Sequence, residues 1–173
     1  MPRLAIFLAL ASIVAGCNSS PPLDVAQNVD LKRFQGKWYE IAKLPRATQA
    51  NCTGTTQYFT LKNDGSAELV NECHLGSLDG TTRGATANAK IPDASAPAKL
   101  SVDFGGGFYG DYWILEVGDH YEYAVVGHPT RDYLWILSRT PKMDPATLQA
   151  AIDHAAAKKF DTSKLEYTEQ PSP

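Results

Sequence analysis

The chain, 173 residues long, lacks most of the features that announce chemistry. No apolar run reaches the ~18–20 residues that a membrane-crossing helix needs. The histidines, at positions 74, 120, 128 and 154, form no His-X-X-X-His pair, and no Cys-X-X-Cys occurs. No metal set is therefore expected, and each His reads as a turn or surface residue. A Gly-X-Ser-X-Gly elbow and a phosphate loop are both missing, which removes the common hydrolase and nucleotide chemistries. Gly105-Gly106-Gly107 has no nucleophilic serine to serve as an oxyanion hole and reads as a mouth loop or tight strand connection. An excess of positive charge is also lacking: a formal net charge of -3 and a pI near 5.8 give no basis for a nucleic-acid partner. Glu40 and Glu116 are isolated acids in strand-like runs, expected to be solvated or hydrogen-bonded rather than general acids. With no placed nucleophile, metal set or cofactor loop, neither an enzyme nor a bound cofactor is expected.

Cysteine is sparse, and its placement is informative. Arg3 followed by the apolar stretch 4–15 and by Val14-Ala15-Gly16-Cys17 resembles a bacterial lipoprotein signal, so residues 1–16 are expected to be removed and Cys17 to be acylated. Asn18, rather than Asp, after that cysteine favours sorting to the outer membrane. Acyl chains anchor firmly, since each buried methylene adds about 0.8 kcal/mol. Residues 17–29 are then a lipidated N-terminus and tether, polar through Ser19-Ser20-Pro21-Pro22 and on to Gln27. Cys52 and Cys73 remain as a pair in an exported, oxidising compartment and are expected to be bridged. Closing a loop of that length lowers the entropy of the unfolded chain by about 3 kcal/mol.

The chain is 43% hydrophobic and large enough for one domain with a true core; beyond the tether it reads as almost all strand. Strand patterns fall at 38–43, 53–62, 66–73, 81–91, 99–104, 112–117, 121–126 and 133–138. Asn63-Asp64-Gly65 is a good hairpin turn, and 92–97 is a Pro-flanked connection. Eight antiparallel strands joined by short loops suit an up-and-down barrel. One helix interrupts late: Asp144 is an N-cap, Pro145 suits the first helical position, and Leu148, Ala151, Ile152 and Ala155 make an apolar stripe for the barrel's outer wall. Leu165-Glu166-Tyr167 reads as a short final strand returning to the sheet.

Gly36-Lys37-Trp38-Tyr39 near the start and Leu137-Ser138-Arg139 near the end carry the strongest signal. A Trp beside a Gly in the first strand and an Arg closing the last strand can plug a barrel floor, the guanidinium lying on the indole face as a cation–π contact. Gly36, Trp38 and Arg139 are therefore assigned to the floor, and a barrel plugged at one end is a container.

These residues resemble the lipocalin family (calycin superfamily), in its bacterial outer-membrane lipoprotein branch close to apolipoprotein D. The first motif is Gly36-Lys37-Trp38-Tyr39-Glu40-Ile41-Ala42, the second Tyr123-Ala124-Val125-Val126-Gly127-His128-Pro129, without its usual Thr-Asp, and the third Leu137-Ser138-Arg139-Thr140-Pro141. Stretches 103–112, 131–137 and 159–161 are typical of the bacterial branch. The resemblance covers residues 30–170. It implies an all-β, eight-stranded lipocalin barrel with one C-terminal α-helix outside and a pocket for a hydrophobic small molecule, lysophospholipid or fatty acid in bacterial members. The domain would be held at the outer membrane through acylated Cys17, on its periplasmic face. The same cup would suit a tetrapyrrole or other pigment, and a filled barrel would instead make a structural or interaction lipoprotein; both alternatives stay open.

Alternate side chains of a barrel strand point inward. With Arg139 reaching the floor, Leu137, Trp135 and Tyr133 share its face. The remaining expected ligand-binding residues are Tyr121 and Tyr123 (with Val125), Tyr112 and Ile114, Phe104 and Val102, and Phe59 and Leu69 on the first hairpin. Trp113 and Leu115 point outward, and an apolar outer face is expected to be covered by a loop, by the helix, or by a second copy in a homodimer.

Overall fold

The computed structural model describes residues 21–103, 107 and 109–172. The expected signal peptide, Cys17 and Phe104 lie outside the described residues.

Eight strands close into an antiparallel barrel: β1 (Gly36–Lys43), β2 (Cys52–Leu61), β3 (Ala67–Leu75), β4 (Thr82–Lys90), β5 (Lys99–Asp103), β6 (Tyr109–Val117), β7 (Tyr123–Gly127) and β8 (Leu134–Ser138). Each pairs with its sequence neighbour, and β1 closes the ring by pairing with both β2 and β8. Only the lower half of β1, Gly36 to Tyr39, meets β2. Higher up, a short β9 (Glu166–Tyr167) replaces β2 beside Ala42 and Lys43. The tail then stitches the seam, with Thr168 N donating to Ile41 O, Gly54 N to Glu169 O, and the Gln170 amide to the carbonyls of both Glu40 and Thr55.

The first turn of chain before β1 seals the lower end. Asp30 caps a one-turn helix, α1 (Leu31–Phe34), by accepting from Lys32 N at 2.8 Å. Phe34 is thereby driven under the barrel, its ring 4.8 Å from Trp38 and edge-on to Phe59 at 5.2 Å. Trp38 Nε1 donates to Phe34 O at 2.9 Å, which satisfies the only polar atom of a fully buried indole. Gly36 turns the chain from helix to strand at φ +96°, a backbone state that L side chains rarely adopt. Above this plug Phe59, Leu69, Ala87, Ala89, Leu100 and Ile114 fill the lower barrel. Each large side chain so buried stabilises the fold by roughly 1.5–3 kcal/mol.

A second core lies outside the barrel. Asp144 caps α2 (Pro145–Ala157), accepting from Thr147 N at 2.9 Å, and Ala151 and Ala155 bury themselves against the wall. Ile41, Leu115, Val125, Leu134, Ile136 and Phe160 complete that layer, with Trp113, Tyr123, Leu148 and Ile152 at its margin. The outward face of Trp113 and Leu115 is therefore covered within the chain, and it offers no ground for a homodimer.

Three expectations are corrected. Tyr123 and Val125 point out toward α2, while Ala124 and Val126 point into the barrel. Alternation was ambiguous here because the helix covers the outer face, so β7 is apolar on both sides; a bulge in β6 between Ile114 and Glu116 also shifts its register against β7. Tyr121 is not on a strand wall at all: it stands at φ +59° in the turn before β7, at the sealed end. Finally, the tether expected over residues 17–29 is docked on the body from Pro21 onward. Pro21 O accepts from Arg131 Nη2, Asp24 O from Lys158 Nζ, and Ala26 N donates to Ile114 O, while Leu23 and Val29 are each 6% exposed. Two well-spaced apolar side chains and these three hydrogen bonds hold a segment that composition marks as linker.

Candidate functional site

Above the filled lower half the barrel opens into a cavity of about 620 Å³. Its walls differ in chemistry. On one side Val102 (β5), Tyr112 (β6), and Trp135 and Leu137 (β8) give an apolar, largely aromatic surface. Opposite stand Glu40 (β1), Thr55 and Gln57 (β2) and Asn71 (β3), with Ala85 on β4. Apolar walls with a few placed polar groups are the usual composition of a small-molecule site.

The aromatic side is a stack. Tyr112 and Trp135 have ring centroids 6.4 Å apart, Trp135 and Tyr133 6.3 Å, and both pairs lie nearly parallel. Arg46, from the mouth loop after β1, rests on its upper end with Cζ 4.6 Å from the Tyr133 centroid and 5.0 Å from that of Trp135. Partial burial lowers the pKa of this guanidinium, although an arginine stays charged in any protein. Among the described residues it makes no ion pair and donates no hydrogen bond, so its N–H fork is held at the rim without an acceptor.

A single 3₁₀ turn, Ala47–Gln49, holds that loop over the cup. Gln49 bridges it to the wall on both sides, accepting from Trp135 Nε1 at 3.2 Å and donating to Glu40 Oε2 at 2.7 Å. Glu40 Oε1 accepts from Thr168 Oγ1 at 2.6 Å. At 3% exposure the carboxyl is desolvated, and that burial pushes its pKa above the usual carboxylate range against the opposing pull of these hydrogen bonds and of Lys43 and Arg46. Tyr112 is deeply buried too; desolvation raises its pKa, and its hydroxyl donates to Gln57 Oε1.

The expected site residues thus divide. Tyr133, Trp135, Leu137, Tyr112 and Val102 stand around one cavity. Ile114, Phe59 and Leu69 face inward but lie in the filled layer beneath it. Tyr121 belongs to the sealed end, where its hydroxyl accepts from Asp30 N at 2.7 Å and its ring carries Arg33 at 4.2 Å. Tyr123 lies outside the barrel and donates to Glu116, whose other oxygen is 2.7 Å from His154 Nδ1 on α2. The floor trio meets as expected, with Arg139 Cζ 3.6 Å from the Trp38 centroid. Cys52 and Cys73 are bridged beside the mouth, Cα atoms 5.4 Å apart. Among the described residues no cluster of His, Cys, Asp or Glu is arranged to hold a metal.

The polar wall was not anticipated. Gln57 shares strand parity with Phe59, and Asn71 with Leu69, so the rule that placed those apolar residues inside also puts these amides there. Selecting inward positions by hydrophobicity hid them. Glu40 shares the parity of Trp38 in the same way.

A barrel sealed by its own side chains at one end, and open at the other onto an amphipathic cup, defines a carrier of small hydrophobic ligands. The chain belongs to the lipocalins, for residues 29–170 match the family model described as a lipocalin-like domain. It is 34% identical to outer membrane lipoprotein Blc of Escherichia coli K12, over 99% of this chain and 97% of that one. To mouse apolipoprotein D it is 35% identical, over 87% of this chain and 81% of that one. Among solved structures, insecticyanin from the tobacco hornworm Manduca sexta superposes with a TM-score of 0.69 at 22% identity, covering 89% of this chain and 87% of that one. A likeness at that identity speaks for the barrel fold. As a lipocalin the protein binds small hydrophobic ligands and is not an enzyme.

Proposed function

We propose that this lipocalin carries single-chain lipids, lysophospholipids or fatty acids, in the bacterial envelope, anchored to the outer membrane through acylated Cys17 and facing the periplasm. The observation that carries the reading is the pairing of an aromatic wall with a cation at its rim that has no acceptor among the described residues. An acyl chain laid along Trp135, Leu137 and Val102 gains about 25 cal/mol per Å² of apolar surface removed from water, less the ordering costs of binding. Its carboxylate or phosphate then meets the Arg46 fork, whose geometry suits both. The lipobox before Cys17 supports the anchor, as does similarity over nearly the whole chain to a protein named an outer membrane lipoprotein.

Displacement of a fluorescent fatty acid by lysophospholipid tests the carrier reading. Stoichiometric displacement is expected, as is single-chain lipid in mass spectra of protein gently extracted from its native envelope. Failure of both sinks it. For the anchor, Cys17→Ser is expected to move the domain from the membrane to the soluble fraction; retention in the membrane would refute acylation at that cysteine.

A further inference from the structure

The base of the cup is polar. Tyr112 on β6 and Gln57 on β2 belong to opposite sides of the ring, and their hydrogen bond spans the barrel. Gln57 Nε2 continues the line to Asn71 Oδ1 at 3.0 Å on β3. This crossbar sits one residue pair above the filled layer, since Gln57 pairs with Asn71 while Phe59 pairs with Leu69. Its members are poorly solvated, Tyr112 at 5% and Gln57 at 9% exposure.

Counting donors and acceptors shows what the crossbar lacks. Tyr112 donates to the Gln57 carbonyl and Gln57 Nε2 to the Asn71 carbonyl, which leaves one N–H on Gln57 and one lone pair on each of the two oxygens. The Asn71 amide nitrogen donates to nothing among the described residues, so both its N–H groups are spare. One N–H of Gln57 and both of Asn71 thus stand at the base of the cup without a partner among the described residues, beside the buried Thr55 hydroxyl, and a ligand oxygen can accept from those amides. A bare methyl terminus would strip water from those N–H groups and return nothing. At the other end of the cavity Arg46 also offers N–H groups without an acceptor among the described residues. Between the two donor sites runs the apolar wall, with Tyr133 to Leu137 covering roughly 13 Å of strand.

We propose that the cup is built for a doubly polar lipid, an acyl ligand whose chain carries a hydroxyl or carbonyl oxygen that reaches Gln57 and Asn71 while its anionic group meets Arg46. This rests on the carrier reading above and narrows it to oxygenated chains. Dodecanoate derivatives suit the test, because an extended twelve-carbon chain is about as long as the wall from Tyr133 to Leu137, roughly 13 Å.

Calorimetric titration of the full domain with dodecanoate, 12-hydroxydodecanoate and 2-hydroxydodecanoate tests the idea. The 12-hydroxy acid is expected to bind about three- to tenfold more tightly than dodecanoate, the usual effect of one net hydrogen bond. The 2-hydroxy acid, whose hydroxyl stays beside the carboxylate, should show no gain. In Asn71→Leu the gain should shrink, and in Gln57→Leu/Asn71→Leu it should vanish while dodecanoate binds at least as well as before. Asn71→Leu is the milder change, because Asn71 is only half-buried, and it keeps the test open if the double variant does not fold. Equal affinities for all three acids, or a gain that survives these substitutions, overturns the crossbar's role and leaves the carrier reading standing. Absence of binding by all three, together with no displacement of a fluorescent fatty acid, removes both.

Discussion

Arg139 lies across the face of Trp38, its Cζ 3.6 Å from the ring centroid, so residues from opposite ends of the fold close one end of the barrel. The same guanidinium donates to three carbonyls, those of Tyr121, Lys37 and Arg33, each at 2.9–3.2 Å. It thereby ties the turn before β7, the start of β1 and the end of α1 to a single group. Partial burial lowers its pKa, yet it remains a cation.

Removing that tie should loosen the whole floor. Arg139→Ala is expected to cost about 2–4 kcal/mol, from one cation–π contact and several charge-assisted hydrogen bonds. Arg139→Lys should recover less than half of it, because an ammonium cannot reach three separate carbonyls from one plane. Urea denaturation measures both; a lysine variant as stable as the parent would contradict this account.

Glu40 should make stability depend on pH in an unusual direction. Its folded-state pKa lies above the ordinary value of 4.5, so folding favours its protonated form. The contribution is fully present below about 4.5 and is lost as pH rises through the folded-state pKa. Glu40→Gln, which stays neutral and lets the Thr168 hydroxyl turn to accept, should gain on the parent between mildly acidic and neutral pH. The difference should close near pH 4. Melting curves across that range would expose the error if the two proteins track each other throughout.

Phe160 sits where a side chain on Gly127 would go. A Cβ there would stand 2.6 Å from Phe160 Cζ and 2.9 Å from Leu115 Cδ1. Gly127→Ala is expected to destabilise by about 1–3 kcal/mol through overpacking between β7 and the segment after α2. Faster hydrogen exchange in α2 than elsewhere would be the local signature, and unaltered exchange and stability would show that the layer yields freely.

At the rim, Arg46→Gln should weaken binding of a fatty acid about tenfold and flatten its salt dependence, since an exposed anion–cation contact is screened by salt. Trp135→Ala should weaken binding without changing the salt slope, because it removes apolar wall and not charge. If both variants changed affinity and slope alike, the division of labour between cation and aromatic stack would be wrong.

Much of this protein could be read along the chain. The hairpin at Asn63-Asp64-Gly65, the Asp144-Pro145 helix start and the shared face of Tyr133, just before β8, with Trp135 and Leu137 on it all depend on local patterns of turn chemistry and alternation. β7 defeated the same reasoning. Tyr123 and Val125 look as apolar as Ala124 and Val126, and only the position of α2 tells which pair faces out. The tether was misjudged for a related reason: Leu23 and Val29 are ordinary residues in a polar stretch until a wall is there to receive them.

The sequence by itself determined a closed antiparallel barrel, its Trp38–Arg139 seal, its outer helix and its bridged cysteines, because each arises from periodicity, turn residues or a short motif. The tertiary structure alone decided that Gln57, Asn71 and Tyr112 join into a bar across the interior, and that Arg46 is left above the aromatic stack without an acceptor among the described residues. A hydrogen bond between β2 and β6 depends on the ring's diameter and on where the filled layer ends. Those quantities exist only once all eight strands have closed.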